Sequence, residues 1–177
     1  MNMYLIRPDA RYERSFKEGY RELQNESEQF AWVYLGGELN RLFYEQKFDV
    51  YVDALLTRET EPLPGKVPDT VYWAILNDEV VGRIALRHEL NDHLRQVGGH
   101  IGYVVRPSFR RKGIGSAMLK EILKTPLAKA IGKILITCDE SNLPSTKIIE
   151  NAGGNLEDSI LIADGLPLKR RYWIEAR

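Results

Sequence analysis

The chain has 177 residues, of which 44% are hydrophobic and 28% are charged, with 25 basic side chains against 25 acidic ones. This length and composition fit one globular domain, and the formal net charge of zero argues against a nucleic-acid or anionic-membrane binder, because such proteins carry a basic excess. A single cysteine, Cys138, can form neither an internal disulfide nor a cysteine-rich zinc site. No apolar run is long enough for a signal peptide or a membrane-spanning helix, so we expect a cytoplasmic protein.

The first third of the chain predicts one short strand followed by amphipathic helices. The strand is expected over 3–6. Apolar residues then recur every three or four positions over 12–23 and again over 48–56, which predicts two helices. Between them, a compact apolar patch over 30–35 ends in a glycine pair. The segment 59–68 is rich in proline and predicts a loop.

After residue 69, strand and helix patterns alternate. Strand patterns cover 71–76, 80–86, 100–105, 133–137, 159–163 and 170–174, and helix patterns cover 113–124 and 142–152. This order predicts an α/β (α+β) fold, with flanking helices around a mixed, mostly antiparallel central sheet. The crossover from 100 to 137 places its two strands parallel. We expect 170–174 to be an edge strand that could pair with a second copy, so a monomer and a homodimer are both possible.

The segment from Val104 to Ser116 is the most informative in the chain. A buried strand leads through Arg110-Arg111-Lys112 into a helix that opens with Gly113-Ile114-Gly115. The first N–H groups of a helix have no internal partner, glycines let a phosphate come close to them, and the cations supply counter-charge. An anion, above all a pyrophosphate, is therefore expected at 110–116. The plainer interpretation is a solvated basic turn whose glycines serve only its geometry.

Two other phosphate-binding patterns were compared with this segment. A P-loop requires Gly-x-x-x-x-Gly-Lys-Ser/Thr, which the chain does not contain. A Rossmann fingerprint requires a small residue where the chain has Met118, and its glycines follow the strand more closely than they do here. Asp139, after the next strand, keeps a dinucleotide site as an open alternative.

The run from Arg110 to Gly115 resembles the Gln/Arg-x-x-Gly-x-Gly/Ala signature of the GCN5-related N-acetyltransferases (GNAT), which bind the pyrophosphate of acetyl-coenzyme A (acetyl-CoA). The segment from Asn142 to Gly154 resembles the motif that follows in that family. The likeness is closest to a branch of bacterial-type acetyltransferases, through His100–Tyr103, Arg106–Ser108, Thr137–Asp139 and Arg171–Ile174. It is good over 69–177 and vague over 1–68.

The resemblance implies a single N-acetyltransferase domain over 1–177, with 1–68 on the acceptor side and 69–177 forming the sheet core and the acetyl-CoA half. It implies that an amine, from a small molecule or a protein, attacks the thioester directly. A bulged strand would splay from its parallel neighbour and hold the pantetheine on the backbone of Tyr103, Val104 and Val105. The remaining cofactor contacts would come from Arg110, Arg111, Lys112, Gly113, Ile114, Gly115, Ser116, Asn142 and Ser145.

The proton-transfer groups are less well defined. His100 titrates near neutrality and begins the strand of the expected cleft, although a structural histidine is an equal alternative. Tyr103 and Glu140 are the other catalytic candidates. Many family members have a tyrosine acid where this chain has Ile149. Cys138 follows a buried strand without an obvious activating partner, so we do not expect it to be a nucleophile.

The acceptor and the chemistry leave two alternatives open. Ile149 permits a non-catalytic acyl-CoA-binding sensor or interaction module on the same fold. Aromatic and acidic residues of the first helices are compatible with a cationic amine. No metal site is expected, because His88 and His93 have neither the spacing nor the carboxylate neighbours of one.

Overall fold

The computed structural model describes residues 2–24, 26–34, 42–45 and 47–176. The Gly36-Gly37 pair that ends the apolar patch lies outside these residues. The strands are β1 Tyr4–Ile6, β2 Asp69–Leu76, β3 Glu79–Arg87, β4 Ile101–Val105, β5 Lys133–Asp139, β6 Asn155–Ile160 and β7 Lys169–Glu175. The helices are α1 Glu13–Glu22, α2 Glu28–Val33, α3 Leu42–Glu45, α4 Phe48–Thr57, α5 Asp92–Gln96, α6 Ile114–Leu123, α7 Pro126–Ile131 and α8 Leu143–Asn151. In the described ranges no helix is long and apolar enough to cross a bilayer.

The strands form two sheets that meet at β4 and β5. One has the order β1-β2-β3-β4 and the other β5-β7-β6, and the paired neighbours in both are antiparallel. Just before β4, the His100 N–H donates to the Leu135 carbonyl at 2.7 Å. Farther along, Tyr103 lies beside Cys138 and Ser145. Residue numbers rise together on both strands, so β4 and β5 run parallel. They form no ladder with each other in the described residues and line a common cavity, which confirms the predicted splayed pair.

Two layers of helices cover the sheets, one on each face. On one face Phe16 stacks on Trp73 with 4.5 Å between ring centroids, in a core that α1, α2 and α4 complete. On the other face α6 and α8 bury Met118 and Ile149 against β3, β4 and β5. Burial of each such side chain contributes about 1.5–3 kcal/mol. The gap between β4 and β5 therefore opens between two well-packed layers.

The β2–β3 hairpin turns through Asn77 and Asp78, with φ values of 51° and 60°. Both residues therefore adopt the left-handed conformation of a type I′ turn, which Asn and Asp tolerate better than most residues. The predicted hairpin forms without a glycine in its turn.

Three expectations about the strands are wrong. β7 is not an edge strand, because it lies between β5 and β6. β6 begins four residues earlier than the predicted 159–163; none of its side chains is fully buried, so it lacks the alternation that marks a strand. The bulge expected in β4 is absent from its pairing with β3, where 101–105 and 82–86 stay in one register.

Candidate active site

The splayed ends of β4 and β5 enclose a cavity of about 270 Å³, called the wedge below. Its walls come from both strands, from the start of α8 and from the end of β3. The lining residues used below are Arg87, Gly102, Tyr103, Cys138, Asn142, Ser145 and Ile149. The position matches the general rule that ligands of α/β sheets bind beyond the carboxyl ends of parallel strands.

One backbone edge of β4 faces the wedge. The Arg87 N–H donates to His100 O at 2.8 Å, and the Arg106 N–H donates to Val81 O at 3.0 Å, so even-numbered residues of β4 pair with β3. Hydrogen bonding alternates along an antiparallel strand, which leaves the N–H and C=O groups of Tyr103 and Val105 on the free edge. Val104 does not fit its predicted backbone role, because its N–H and C=O lie on the β3 side.

The loop before α6 presents unpaired backbone donors. From Arg111 to Ser116, no N–H donates to an oxygen of another described residue, whereas the N–H groups of Arg110 and Ala117 on either side are both bonded. Arg111 and Gly113 have positive φ values of 58° and 79°, which turn the chain into α6. Consecutive free N–H groups at a helix start form an anion-binding cradle.

The three cations of this loop have different surroundings. Arg110 forms an ion pair with Glu26 at 2.6 Å. Lys112 donates to the Ser108 carbonyl at 2.8 Å and lies over the Phe109 ring. Arg111 is exposed and forms no ion pair or side-chain hydrogen bond with another described residue. Of the three predicted cations, only Arg110 is therefore neutralised by a carboxylate, and Arg111 is the one whose side chain makes no hydrogen bond with another described residue.

The two loop glycines serve different purposes. A Cβ on Gly113 would contact nothing within 4 Å, so this residue is needed for its positive φ and leaves open space above the backbone. A Cβ on Gly115 would lie 2.8 Å from Cδ1 of Ile148, so this residue lets α6 and α8 pack closely. Ile114 is buried in the core and Ser116 is exposed.

The start of α8 forms another wall of the wedge. Asn142 caps this helix, because its Oδ1 accepts the Ser145 N–H at 3.1 Å. Ile149 is fully buried one turn farther along and lines the wedge with a hydrocarbon surface. From this helix, therefore, Ile149 supplies no proton donor to the cavity.

Tyr103 carries a buried hydroxyl beside Ser145. Its Oη is shielded from solvent and makes no well-aligned hydrogen bond with the described residues, although the Ser145 side chain lies close enough to interact with it. Burial raises the pKa of Tyr103, and the neighbouring Ser145 offsets part of that rise. The phenol is therefore protonated at neutral pH, with its proton available inside the wedge.

The other two catalytic candidates have structural contacts. The Nδ1 atom of His100 accepts the Leu135 N–H at 2.9 Å, and burial lowers the pKa of this buried imidazole to about 4. Glu140 pairs with Arg170 at 3.1 Å. Neither residue is among those that line the wedge. Their contacts fit supporting roles better than proton transfer.

Cys138 lines the wedge, but its surroundings do not activate it. Its thiol lies 3.7 Å from the Thr146 hydroxyl, and burial raises the pKa of the thiol, which disfavours the thiolate. His88 is bonded to Thr70 at 2.9 Å. The described residues contain no group of three or more His, Cys, Asp or Glu side chains that could hold a metal ion.

Sequence reasoning missed a cluster of arginines on the other face of β4. Arg83 and Arg87 share one face of β3, and Arg58 lies at the end of α4. Together with Gly102 they line a cavity of about 400 Å³ that adjoins the wedge. The available signal was Arg83 within the otherwise apolar run of a buried strand, because arginine is rarely buried without partners for its charged group.

Comparisons with known proteins identify the family and the fold of the chain. A family model described as the acetyltransferase (GNAT) family matches residues 5–153. The fold is similar to that of Mycobacterium smegmatis RimJ in complex with CoA-disulfide, with a TM-score of 0.68 and 20% identity over 98% of this chain and 82% of that one. It is also similar to the microcin C7 self-immunity acetyltransferase MccE in complex with acetyl-CoA and AMP, with a TM-score of 0.64 and 15% identity over 98% of this chain and 92% of that one. A third similar structure is RimL, a ribosomal L7/L12 α-N-protein acetyltransferase, in complex with CoA, with a TM-score of 0.61 and 16% identity over 98% of this chain and 93% of that one. None of the curated proteins searched matches the chain.

Proposed function

The chain belongs to the acetyltransferase (GNAT) family, as its motifs predict, and we propose that it transfers an acetyl group from acetyl-CoA to an amine by direct attack on the thioester. The observation that carries the proposal is the run of free N–H groups from Arg111 to Ser116, which follows the strand that borders the wedge after a short 3-10 turn over Pro107–Phe109. A pyrophosphate bound there could extend its pantetheine arm along the free edge of β4. Three of the similar structures contain CoA or acetyl-CoA, which supports this donor.

The residues of the chain suit the donor by position. The N–H groups from Arg111 to Ser116, with the free guanidinium of Arg111, would bind the pyrophosphate. The free edge of β4 would hydrogen-bond the pantetheine amides through Tyr103 and Val105. One of these N–H groups would polarise the thioester carbonyl, an effect worth about 2.7–4 kcal/mol per donor in comparable sites. Asn142 and Ser145 would border the thiol end of the wedge.

Acetyl-CoA supplies an acyl carbon that is already activated as a thioester. In the transfer a C–N bond forms and the C–S bond breaks, while the amine loses one proton to solvent and the sulfur gains one. We assign donation of the proton that the sulfur gains to Tyr103, whose buried hydroxyl lies beside Ser145 and is protonated at neutral pH. The phenol then recovers a proton from solvent. Tyr103 thus replaces the acid that Ile149 cannot provide.

The test is thiol release from acetyl-CoA by the purified protein, measured with a thiol-reactive dye over a panel of amines and short peptides. We expect thiol release above the amine-free background with at least one amine, together with a product heavier by one acetyl group in mass spectrometry. If the protein binds acetyl-CoA and no amine or peptide yields thiol, the transferase function fails and a non-catalytic acyl-CoA sensor is the better account. If acetyl-CoA does not bind, both fail.

A further inference from the structure

The cavity on the other face of β4 lies where a second substrate would reach the wedge. Its floor is formed by Arg83, Ala85 and Arg87 of β3 with Gly102 and Val104 of β4, which share one face of the sheet because paired residues of antiparallel strands point the same way. Arg87 and Gly102 also line the wedge. The two cavities therefore adjoin at the middle of β4, where the thioester is expected.

This acceptor cavity has an excess of positive charge. It adjoins another cavity of about 380 Å³, and both cavities are lined by Arg58, Asp69 and Arg87. Arg83 lines the acceptor cavity only. Asp69 forms an ion pair with Arg58 at 2.6 Å. Asp69 is also the only carboxylate among the described residues that line either cavity. One negative charge thus faces three guanidinium groups.

The other contacts of these arginines do not neutralise them. Arg83 donates to backbone carbonyls at the end of α2, including Trp32 O at 3.1 Å and Tyr34 O at 2.6 Å. Burial lowers the pKa values of both Arg83 and Arg87, and the charge of Asp69 offsets only part of that cost of holding a cation away from water. Arginine still remains charged at neutral pH. An anion entering this cavity would therefore gain interactions that the protein does not provide for itself.

Arg87 has a donor ready for such an anion. Its Nη1 donates to Gly98 O at 3.1 Å and Gly99 O at 2.9 Å, which fixes the direction of the guanidinium. Its Nη2 makes no hydrogen bond with another described residue and lies 4.0 Å from the position that a Cβ on Gly102 would take. The missing side chain at Gly102 leaves this donor open to both cavities.

We propose that the acetyl acceptor is an amine whose molecule also carries a carboxylate or a phosphate, and that Arg87 binds this anionic group. The inference rests on the transferase function proposed above and names its substrate class. Arginine suits the task because its planar donors match carboxylate and phosphate oxygens. The same cations disfavour an ammonium ion close by, so they keep the attacking amine neutral. A polyamine, which the acidic first helices alone would admit, is repelled.

The test compares amines that differ only in one anionic group. Thiol release is measured for three pairs: glycine against glycinamide, O-phosphoethanolamine against ethanolamine, and Asp-Ala-Ala-amide against Asn-Ala-Ala-amide. Each rate is divided by the concentration of the neutral form of the amine. Spermidine is included as a polycationic amine. We expect the anionic member of at least one pair to exceed its partner by about 10- to 100-fold in kcat/KM, the size of one charge-assisted hydrogen bond. The pair with the largest ratio identifies a carboxylate, a phosphate or a peptide carboxylate as the recognised group.

The variant Arg87→Gln separates recognition from folding. Loss of recognition should collapse the anionic-to-neutral ratio towards one, whereas a structural defect lowers both members of a pair equally. Arg87→Lys should retain part of the ratio, and Arg95→Gln, which removes the same charge from exposed α5 outside the cavities, should retain all of it.

Three results overturn the proposal. The first is an equal or higher kcat/KM for the neutral members or spermidine, which would leave the transferase function intact. The second is an unchanged ratio in Arg87→Gln. The third is the absence of thiol with every anionic member while the protein binds acetyl-CoA.

Discussion

The donor and acceptor sides of β4 differ in what they offer a ligand. On the donor side, the N–H groups from Arg111 to Ser116 and the free edge of β4 are backbone groups. On the acceptor side, the donors are the side chains of Arg58, Arg83 and Arg87. Backbone donors bind any molecule with a suitably placed pyrophosphate, whatever the side chains are. Side-chain charges select among amines, so specificity is expected to reside on the acceptor side.

The two regions carry a similar excess of positive charge, but only one of them is visible in the sequence. The basic triplet 110–112 stands out in the chain, and one of its three cations, Arg110, is paired with a carboxylate, that of Glu26. The three arginines of the acceptor cavity are scattered in sequence and also share one carboxylate, that of Asp69. A net charge of zero thus conceals an excess of positive charge on both sides of β4.

The largest effect is expected from Arg83→Met, which tests whether the acceptor side depends on a single buried cation. Arg83 holds the end of α2 against β3 through three carbonyls, those of Ala31, Trp32 and Tyr34. Its loss leaves these acceptors buried and unpaired, and should reduce the free energy of unfolding in urea by about 3 kcal/mol. Arg14→Met on exposed α1 should change it by less than about 0.5 kcal/mol. Equal effects would contradict the anchoring role.

Next in size is Tyr103→Phe, which tests proton donation on the donor side. The variant removes the buried hydroxyl and should lower kcat about 100-fold, within the usual range for a general acid, while KM for acetyl-CoA stays the same. Tyr172→Phe is the control, since the Tyr172 hydroxyl donates to Glu150 at 3.2 Å and is not among the wedge-lining groups. An unchanged kcat in Tyr103→Phe would show that a group other than Tyr103 donates the proton.

A smaller effect is expected from Gly113→Ala, which tests the backbone cradle. Gly113 and Gly132 both have φ of 79° and open space around a Cβ. Alanine should cost about 1 kcal/mol of stability at Gly113, and more at Gly132, whose ψ of −68° lies outside the left-handed region. Only Gly113→Ala should weaken acetyl-CoA binding, by about tenfold in a calorimetric titration, because its Cβ enters the space above the free N–H groups. Equal affinities in the two variants would place the pyrophosphate elsewhere.

The last effect concerns His100 and the dependence of stability on pH. Burial lowers the pKa of His100 to about 4 from 6.5, so below pH 6.5 the unfolded chain takes up a proton that the folded chain resists. The contribution of the neutral His100 imidazole to the free energy of unfolding is therefore complete above pH 6.5 and is lost as the pH falls towards 4. His100→Asn can still accept a hydrogen bond from the Leu135 N–H, and it should reduce the change in the free energy of unfolding between pH 6.5 and pH 4. The control variant His93→Asn should leave that change as it is. A changed pH profile of kcat/KM in His100→Asn would instead restore this residue as the general base.

The same contrast explains how far the sequence could predict the molecule. The donor cradle is local, so glycines and cations within 110–116 reveal it. The acceptor cavity joins positions 69, 83 and 87, which the pairing of β2 with β3 brings together, to position 58, which the ion pair of Arg58 with Asp69 holds beside them. The start of β6 could not be predicted, because its side chains do not alternate between buried and exposed. The role of Tyr103 depends on the strand register and on its distance from α8, neither of which a motif contains.

The most direct test is a crystal structure of the protein with coenzyme A. The account predicts that the pyrophosphate accepts hydrogen bonds from the N–H groups between Arg111 and Ser116. It also predicts that the sulfur lies between β4 and β5, within hydrogen-bond distance of the Tyr103 hydroxyl and open to the Arg87 cavity. A pyrophosphate bound away from this loop, or a sulfur out of reach of Tyr103, would contradict it.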